Sequence, residues 1–424
     1  MFHSLRRLPI GVLVLSLCMG LGTSAATIAV AVTSLAGESI APDPSFATVP
    51  YGLQFLALMG SAVPLTMLMG RVGRKPVNLL SALFGVGAGV VSAVAVGIES
   101  FLLLCLGHMM LGLFLAGLAS LRFAAIDRSP SDLREMAVSL ALFGGVLAGL
   151  IGPTLARSAG LVFPFEGFVA AYLMMGLVCG SVALILAFLP FPNDAETVRQ
   201  AQAAKAEAQA EGRRIGAQVL SNPLYWFGVL CGAVGYGVMT LLMVASSLEM
   251  RAAGYAFEIN TYLIQAHVLA MFAPSLFSGW LVRLFRRDRF IFIGMLLMIG
   301  AALCALFAPA FWAFLIALVL LGFGWNFLYV GGAIMVAALA KPAEKLRAQG
   351  VNDMIVSSFS AVAALTAGAC LVIFGWAGLQ IFALIVLVPL VVFGVIVRFG
   401  GVPTPPPDAE PVPASKAPSG QAAN

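Results

Sequence analysis

Two pairs of side chains stand one helical turn apart in a chain that is otherwise almost wholly aliphatic. Met239 and Met243 lie in MTLLM, and His267 and Met271 lie in HVLAM. Residues i and i+4 share one face of a helix, so each pair presents two ligands side by side. Thioether and imidazole are neutral, soft-to-borderline donors, and that set selects Cu(I) among the common biological metals. Zinc, by contrast, asks for thiolate, imidazole or carboxylate. Neutral ligands also suit transport, because they replace a hydration shell without a grip that prevents release. The opposing reading is packing, since Met is a common filler of irregular cores.

Further soft side chains fall nearby. Cys231 lies two turns before Met239 and is a secondary metal candidate on the exit side. Cys370 is a secondary candidate on the entry side. Each is opposed by the ordinary reading of cysteine as a small buried hydrophobe. Cys105, His108 and Met109 share a helical face beside Met110, where a hydrogen-bonded buried histidine is the favoured reading. Asn326 and Trp325 are candidate cavity-lining residues. Asn326 can either face a cavity or hydrogen-bond a neighbouring helix, and Trp325 and Tyr329 are suited to stacking on a flat ring.

The elements that must position these groups follow from composition. The 424 residues are 61% hydrophobic and 10% charged, against roughly 25% charged in ordinary soluble domains. Water is therefore not the solvent. Apolar runs near the ~20 residues that cross a bilayer recur along the chain. They are continuous rather than alternating, which excludes a β-barrel. Twelve spans are expected, with cores near 8–35, 48–69, 77–97, 101–124, 136–156, 167–190, 222–248, 259–282, 290–308, 311–338, 352–374 and 377–397. The sequence predicts an all-α polytopic membrane protein. It has an N-terminal six-helix half (1–190), a polar linker (191–221), a C-terminal six-helix half (222–400) and a Pro- and Ala-rich tail (401–424) read as disordered. The signal-like N-terminus runs on into Ala25–Leu35 and is read as a retained first helix.

All but Arg157 and Arg251 of the 23 Lys and Arg fall in loops on one side or in the termini on that side. That bias predicts both termini in the cytoplasm of a bacterium, with the protein in the inner membrane. The basic balance thus sets topology and does not imply nucleic acid. No Asp, Glu, Lys or Arg is expected at the middle of any span, which argues against a carboxylate proton relay. No nucleotide-binding motif is present, and no enzymatic activity is expected.

The loop after the second span, MGRVGRKP, resembles the G-x-x-x-D-R-x-G-R-R loop of the major facilitator superfamily. Arg71, Gly73, Arg74 and Lys75 match it as gating-loop residues, whereas Gly70 replaces its Asp and Thr66 its first Gly. The loop after the eighth span, GWLVRLFRRDR, occupies the same place in the second half. The resemblance implies the major facilitator fold, alternating access and a substrate site at the midplane between the halves.

Within that superfamily the M-x-x-x-M and H-x-x-x-M pairs resemble those of CcoA-type copper importers, and so does GFGWNFLYVGG in span ten. That likeness implies Met239, Met243, His267 and Met271 as the metal site. It implies copper, as Cu(I), as a transported substrate rather than a resident cofactor. It further implies a cytoplasmic copper-accepting protein and supply to cbb3-type cytochrome c oxidase. Relatives that share the span-ten stretch carry riboflavin, so a riboflavin or other small organic solute transporter is the alternative. Expected partners are the copper ion and the lipid bilayer, with no nucleic acid and a monomeric state.

Overall fold

A computed structural model describes residues 9–129, 133–165, 167–189, 217–277, 287–340 and 345–399, with isolated positions at 199, 203, 206 and 284. The tail from 400 onward and most of the 191–221 linker lie outside the described residues. In hydrocarbon every backbone N–H and C=O must be satisfied within the segment, so the apolar runs fold as helices. They are α1 Ile10–Ile40, α2 Val49–Val72, α3 Arg74–Gly97, α4 Phe101–Asp127, α5 Arg134–Val162 and α6 Val169–Phe188 in the first half. The second half holds α7 Pro223–Ala252, α8 Phe257–Phe272, α9 Arg287–Ala305 and α10 Phe311–Leu339. No strand occurs among the described residues.

The last helical run, Lys345–Phe399, is interrupted at Gly375, with φ 66° and ψ 177°. Its apolar part of 50 residues would extend roughly 75 Å as one helix, more than twice the ~30 Å hydrocarbon layer. It is therefore two spans, α11 (345–374) and α12 (376–399). A left-handed turn of this kind needs no loop but does need a residue without Cβ. The arms return to the same layer. Gly368 of α11 donates its N–H to Thr48 Oγ1 at 3.0 Å, and Trp376 of α12 donates Nε1–H to Ala305 O at 2.7 Å.

Two helices differ from the simplest expectation. α8 spans 16 residues and passes into a 3-10 segment, Ala273–Phe277, where Pro274, with no N–H, interrupts the α ladder; residues 278–282 of the expected span lie outside the described residues. α4 runs three residues past the expected core (101–124) to Asp127, and Arg122, grouped with the loop cations by charge, lies within the helix.

Each half has its own core. Leu15, Ile28, Leu111, Phe114, Tyr172 and Met175 pack in the first; Met250, Ile264, Met295, Phe314 and Leu328 pack in the second. Side chains such as Leu102, Leu161, Phe188 and Ile373 remain exposed, as they must on a surface solvated by lipid. The halves meet where α2 packs on α11, α5 on α8, and α1 on α7. α7 is the most enclosed span, with 89% of its apolar window buried. It therefore lies beside the axis between the halves.

The loop Arg71–Lys75 is a tight joint between α2 and α3. Gly73 sits at φ 92° and donates its N–H to Met69 O at 2.9 Å. Lys75 Nζ donates to Ala187 O at 2.8 Å, at the C-terminal end of α6, where backbone carbonyls favour a cation. Arg199 of the linker donates Nε–H to Gly70 O at 3.1 Å. These contacts brace the first half internally.

Candidate functional site

Between the halves lies a cavity of about 340 Å³, at the lower end of the ~300–1,000 Å³ range of small-molecule sites. Its wall draws on both halves. Thr23, Thr27 and Val30 come from α1, Tyr51, Gln54 and Phe55 from α2, and Leu118 and Arg122 from α4. The second half contributes Tyr236, Met239, Thr240 and Met243 of α7, with Val268, Met271 and Phe272 of α8. Met19 and Arg122 line it toward the end of the molecule that carries most of the Lys and Arg.

The wall is strongly aromatic. Tyr51 and Phe55 meet edge-on at 5.3 Å, and Phe55 meets Tyr236 across the half interface at 6.5 Å. Tyr236 in turn touches Trp325 at 5.3 Å and Tyr329 at 5.8 Å. Trp325 and Tyr329 stack on each other at 5.2 Å with an interplanar angle of 7°, and Phe272 closes the series against Trp325 at 6.1 Å. Trp325 is thus a second layer behind Tyr236 and not a wall residue. The sequence marked the stacking pair in α10 but missed the rings in front of it, because Tyr51, Phe55, Tyr236 and Phe272 lie in four runs of ordinary apolar spacing.

Of the four soft ligands, Met239, Met243 and Met271 share this wall, whereas His267 does not line it. The sequence suggests that α7 and α8, being consecutive and antiparallel, present Met239 and His267 to each other. In the fold α10 packs extensively on both and lies between much of their length. The approach of α10 to α8 is close enough that a Cβ on Gly322 would stand 2.7 Å from His267 O. His267 is fully buried, and Nδ1 lies 2.7 Å from Leu318 O of α10. A carbonyl accepts only, so Nδ1 carries the proton. Nε2 is then an acceptor, and it is buried with no partner among the described residues.

The secondary candidates fall away from the cavity. Cys231 is buried with its Cβ near Gly332 of α10. Cys370 is half-buried against the core of the second half. Asn326 is not a wall residue either: it donates Nδ2–H to Met271 O at 2.7 Å and to Ser275 Oγ at 2.6 Å, binding α10 to the end of α8. Among the described residues no three His, Cys, Asp or Glu side chains converge.

Sequence reasoning also passed over Gln54. It is 3% exposed yet contributes to the wall, and its Oε1 lies 3.2 Å from His108 Nδ1. A lone amide in an apolar run was the available signal. His108 is a hydrogen-bonded buried histidine, with Thr33 Oγ1 at 3.1 Å and Tyr172 OH at 3.2 Å from Nε2. Cys105 and Met109 do not join it in a donor set.

Away from the cavity the halves are fastened at the end opposite the basic loops. Arg251 of α7 donates to Leu35 O of α1 at 3.2 Å and pairs with Glu38. Arg157 of α5 donates to Gln265 Oε1 of α8 at 3.1 Å, with its guanidinium 3.9 Å from the Tyr262 ring centroid.

Comparison with known proteins agrees with this architecture. The Major Facilitator Superfamily profile matches residues 12–266 and 261–422. The riboflavin transporter RfnT of Brucella anthropi is 33% identical over 384 residues, covering 90% of this chain and 94% of its own. Among solved structures, a bacterial homolog of the human lysosomal transporter Spinster superposes with a TM-score of 0.69 at 18% identity, covering 92% of this chain and 96% of that one. The D-xylose-proton symporter does so at 0.71 and 14% identity, covering 93% and 98%. At those identities the structural likeness speaks for the fold, while the profile and the Brucella relative speak for descent. The chain belongs to the Major Facilitator Superfamily and is a membrane-spanning secondary transporter.

Proposed function

We propose that this transporter carries riboflavin, or a closely related flat heteroaromatic solute, by alternating access between its two halves. The observation that carries this reading is the aromatic wall of Tyr51, Phe55, Tyr236 and Phe272, backed by Trp325, which touches both Tyr236 and Phe272 and stacks on Tyr329. Stacking of a flat heterocycle on a side-chain ring contributes about 1–3 kcal/mol per ring in nucleobase recognition, so a few contacts suffice for micromolar affinity. The similarity to RfnT over nearly its whole length supports the same solute. The positive-inside bias supports a bacterial cytoplasmic membrane with both termini inside.

Copper is the second reading, because Met239, Met243 and Met271 share the wall and thioethers hold Cu(I). His267 does not join them, and the relatives above lend copper no support. Supply of a cytochrome oxidase and a copper-accepting partner belong to that second reading alone.

The test is initial-rate uptake of radiolabelled riboflavin by a bacterial host that neither makes nor imports it, with and without this chain. Saturable uptake above the empty vector is expected. No uptake, together with copper accumulation that depends on Met239, Met243 and Met271, would put the metal first.

A further inference from the structure

We infer that the cavity also takes flat heteroaromatic solutes that carry an anionic group on a side chain, and that Arg122 is the residue that binds the anion. This rests on the flat-solute reading above and adds a substrate class to it, a phosphorylated flavin beside the neutral one.

The neighbours of Arg122 fix the direction it faces. Leu115, Leu118, Ala119 and Arg122 all line the cavity, and their spacing is that of one face of α4. Gly22 of α1 packs on Leu118. One turn further along α4, Arg122 is therefore near the level of Met19, one turn back along the antiparallel α1, and Met19 lines the cavity as well. The second half stands opposite. The charges of Arg122 and of Asp353 on α11 both act on the Tyr329 hydroxyl of α10, so the guanidinium is close to the junction of the halves. Asp353 does not line the cavity. Among the described residues Arg122 is the one charged side chain in the wall.

The threonines of the same half offer an anion nothing. Thr23 gives its hydroxyl hydrogen to Met19 O at 2.7 Å. Thr27 gives its own to Ser24 O at 2.9 Å, with Ala148 O at 3.0 Å. A carbonyl only accepts, so both hydroxyls have only lone pairs left. A guanidinium has the opposite chemistry: it donates through five N–H groups and accepts through none, enough to hold an oxyanion beside its contacts within the protein.

Depth decides where on the solute the anion is carried. Gly112 of α4 packs on Gln54 and Leu58 of α2, which puts it at the level of Phe55. Arg122 lies ten residues further along α4, roughly 15 Å. Helix side chains lean toward the helix N-terminus, here back toward the rings. That gap suits a group at the end of a flexible chain better than one on the stacked ring. Flavin mononucleotide, with its phosphate at the end of the ribityl chain, has this shape.

The experiment measures dissociation constants of riboflavin and flavin mononucleotide by flavin-fluorescence quenching on the purified full chain, and compares their ratio between variants. In the parent, flavin mononucleotide is expected to bind about fivefold more tightly, the scale of a solvent-exposed charge pair. Arg122→Gln is expected to bring the ratio to about one, Arg122→Glu to reverse it and Arg122→Lys to keep part of it. The parent alone supplies a second reading that needs no substitution: raising ionic strength from about 0.01 to about 1 M should shrink the preference. Proteoliposomes loaded with flavin mononucleotide should then exchange it for external radiolabelled riboflavin, and binding without exchange would make it an inhibitor and overturn the substrate class. If riboflavin binds but flavin mononucleotide binds no more tightly, or if the preference survives Arg122→Gln or high salt, the inference fails and riboflavin transport stands. If neither flavin binds the parent, the flat-solute reading falls and the inference falls with it.

Discussion

The Arg251 guanidinium of α7 lies 3.5 Å from the Glu38 carboxylate of α1 and donates to Leu35 O at 3.2 Å. It thereby joins the two halves at the end away from the basic loops. Arg157 does the same between α5 and α8. These are the two arginines that depart from the charge bias of the loops, and each is spent on holding one half to the other. Alternating access requires that such contacts break when that same end opens.

Replacing Arg251 by Ala should shift the resting equilibrium toward opening at that end. The pair is partly exposed, and such ion pairs contribute only about 0–1 kcal/mol, so the shift is modest, at most a few-fold. Spin labels at Ser39→Cys and Ala253→Cys in a cysteine-free background would read it as a larger long-distance fraction. An unchanged distance distribution would remove Arg251 from the gate.

Tyr236 is the ring that touches Phe55, Trp325 and Tyr329 together. Tyr236→Ala should raise the riboflavin KM roughly tenfold or more, given ~1–3 kcal/mol for one stacking contact. Tyr236→Phe should retain most affinity. Equal loss in both would point to the hydroxyl and not to the ring.

His267 is held by Leu318 O and faces away from the cavity wall. His267→Ala should lower thermal stability by about 1–3 kcal/mol, through the void and the abandoned carbonyl, while leaving the KM of folded protein near that of the parent. Dye-based melting in detergent and uptake at matched levels separate the two. A large KM change at unchanged stability would bring His267 back to the site.

Asn326 ties α10 to α8 through Met271 O and Ser275 Oγ. Asn326→Leu should destabilise by about 1–3 kcal/mol, because the buried Met271 carbonyl and the half-buried Ser275 hydroxyl lose a donor. Melting temperature reports it. A neutral result would mean that the end of α8 finds other partners.

Much was legible beforehand. Long apolar runs in lipid have one backbone solution, so the helices and their number follow from composition. Lys and Arg avoid one side, which orders the loops. Gly375 shows why the link between spans eleven and twelve could be two residues long: one left-handed glycine reverses the chain. Tertiary structure decided which residues face one another. His267 and Met239 have matched depth and ideal spacing, yet the lateral order of helices places α10 against both, and the imidazole proton binds the carbonyl that reaches it first. Gln54 and His108 lie 54 residues apart and neither belongs to a local motif. They meet because α2 and α4 pack together. In an apolar sequence, spacing along one helix sets which side chains share a face, but the rotation and neighbours of that face are set by packing summed over all the helices, which no single segment encodes.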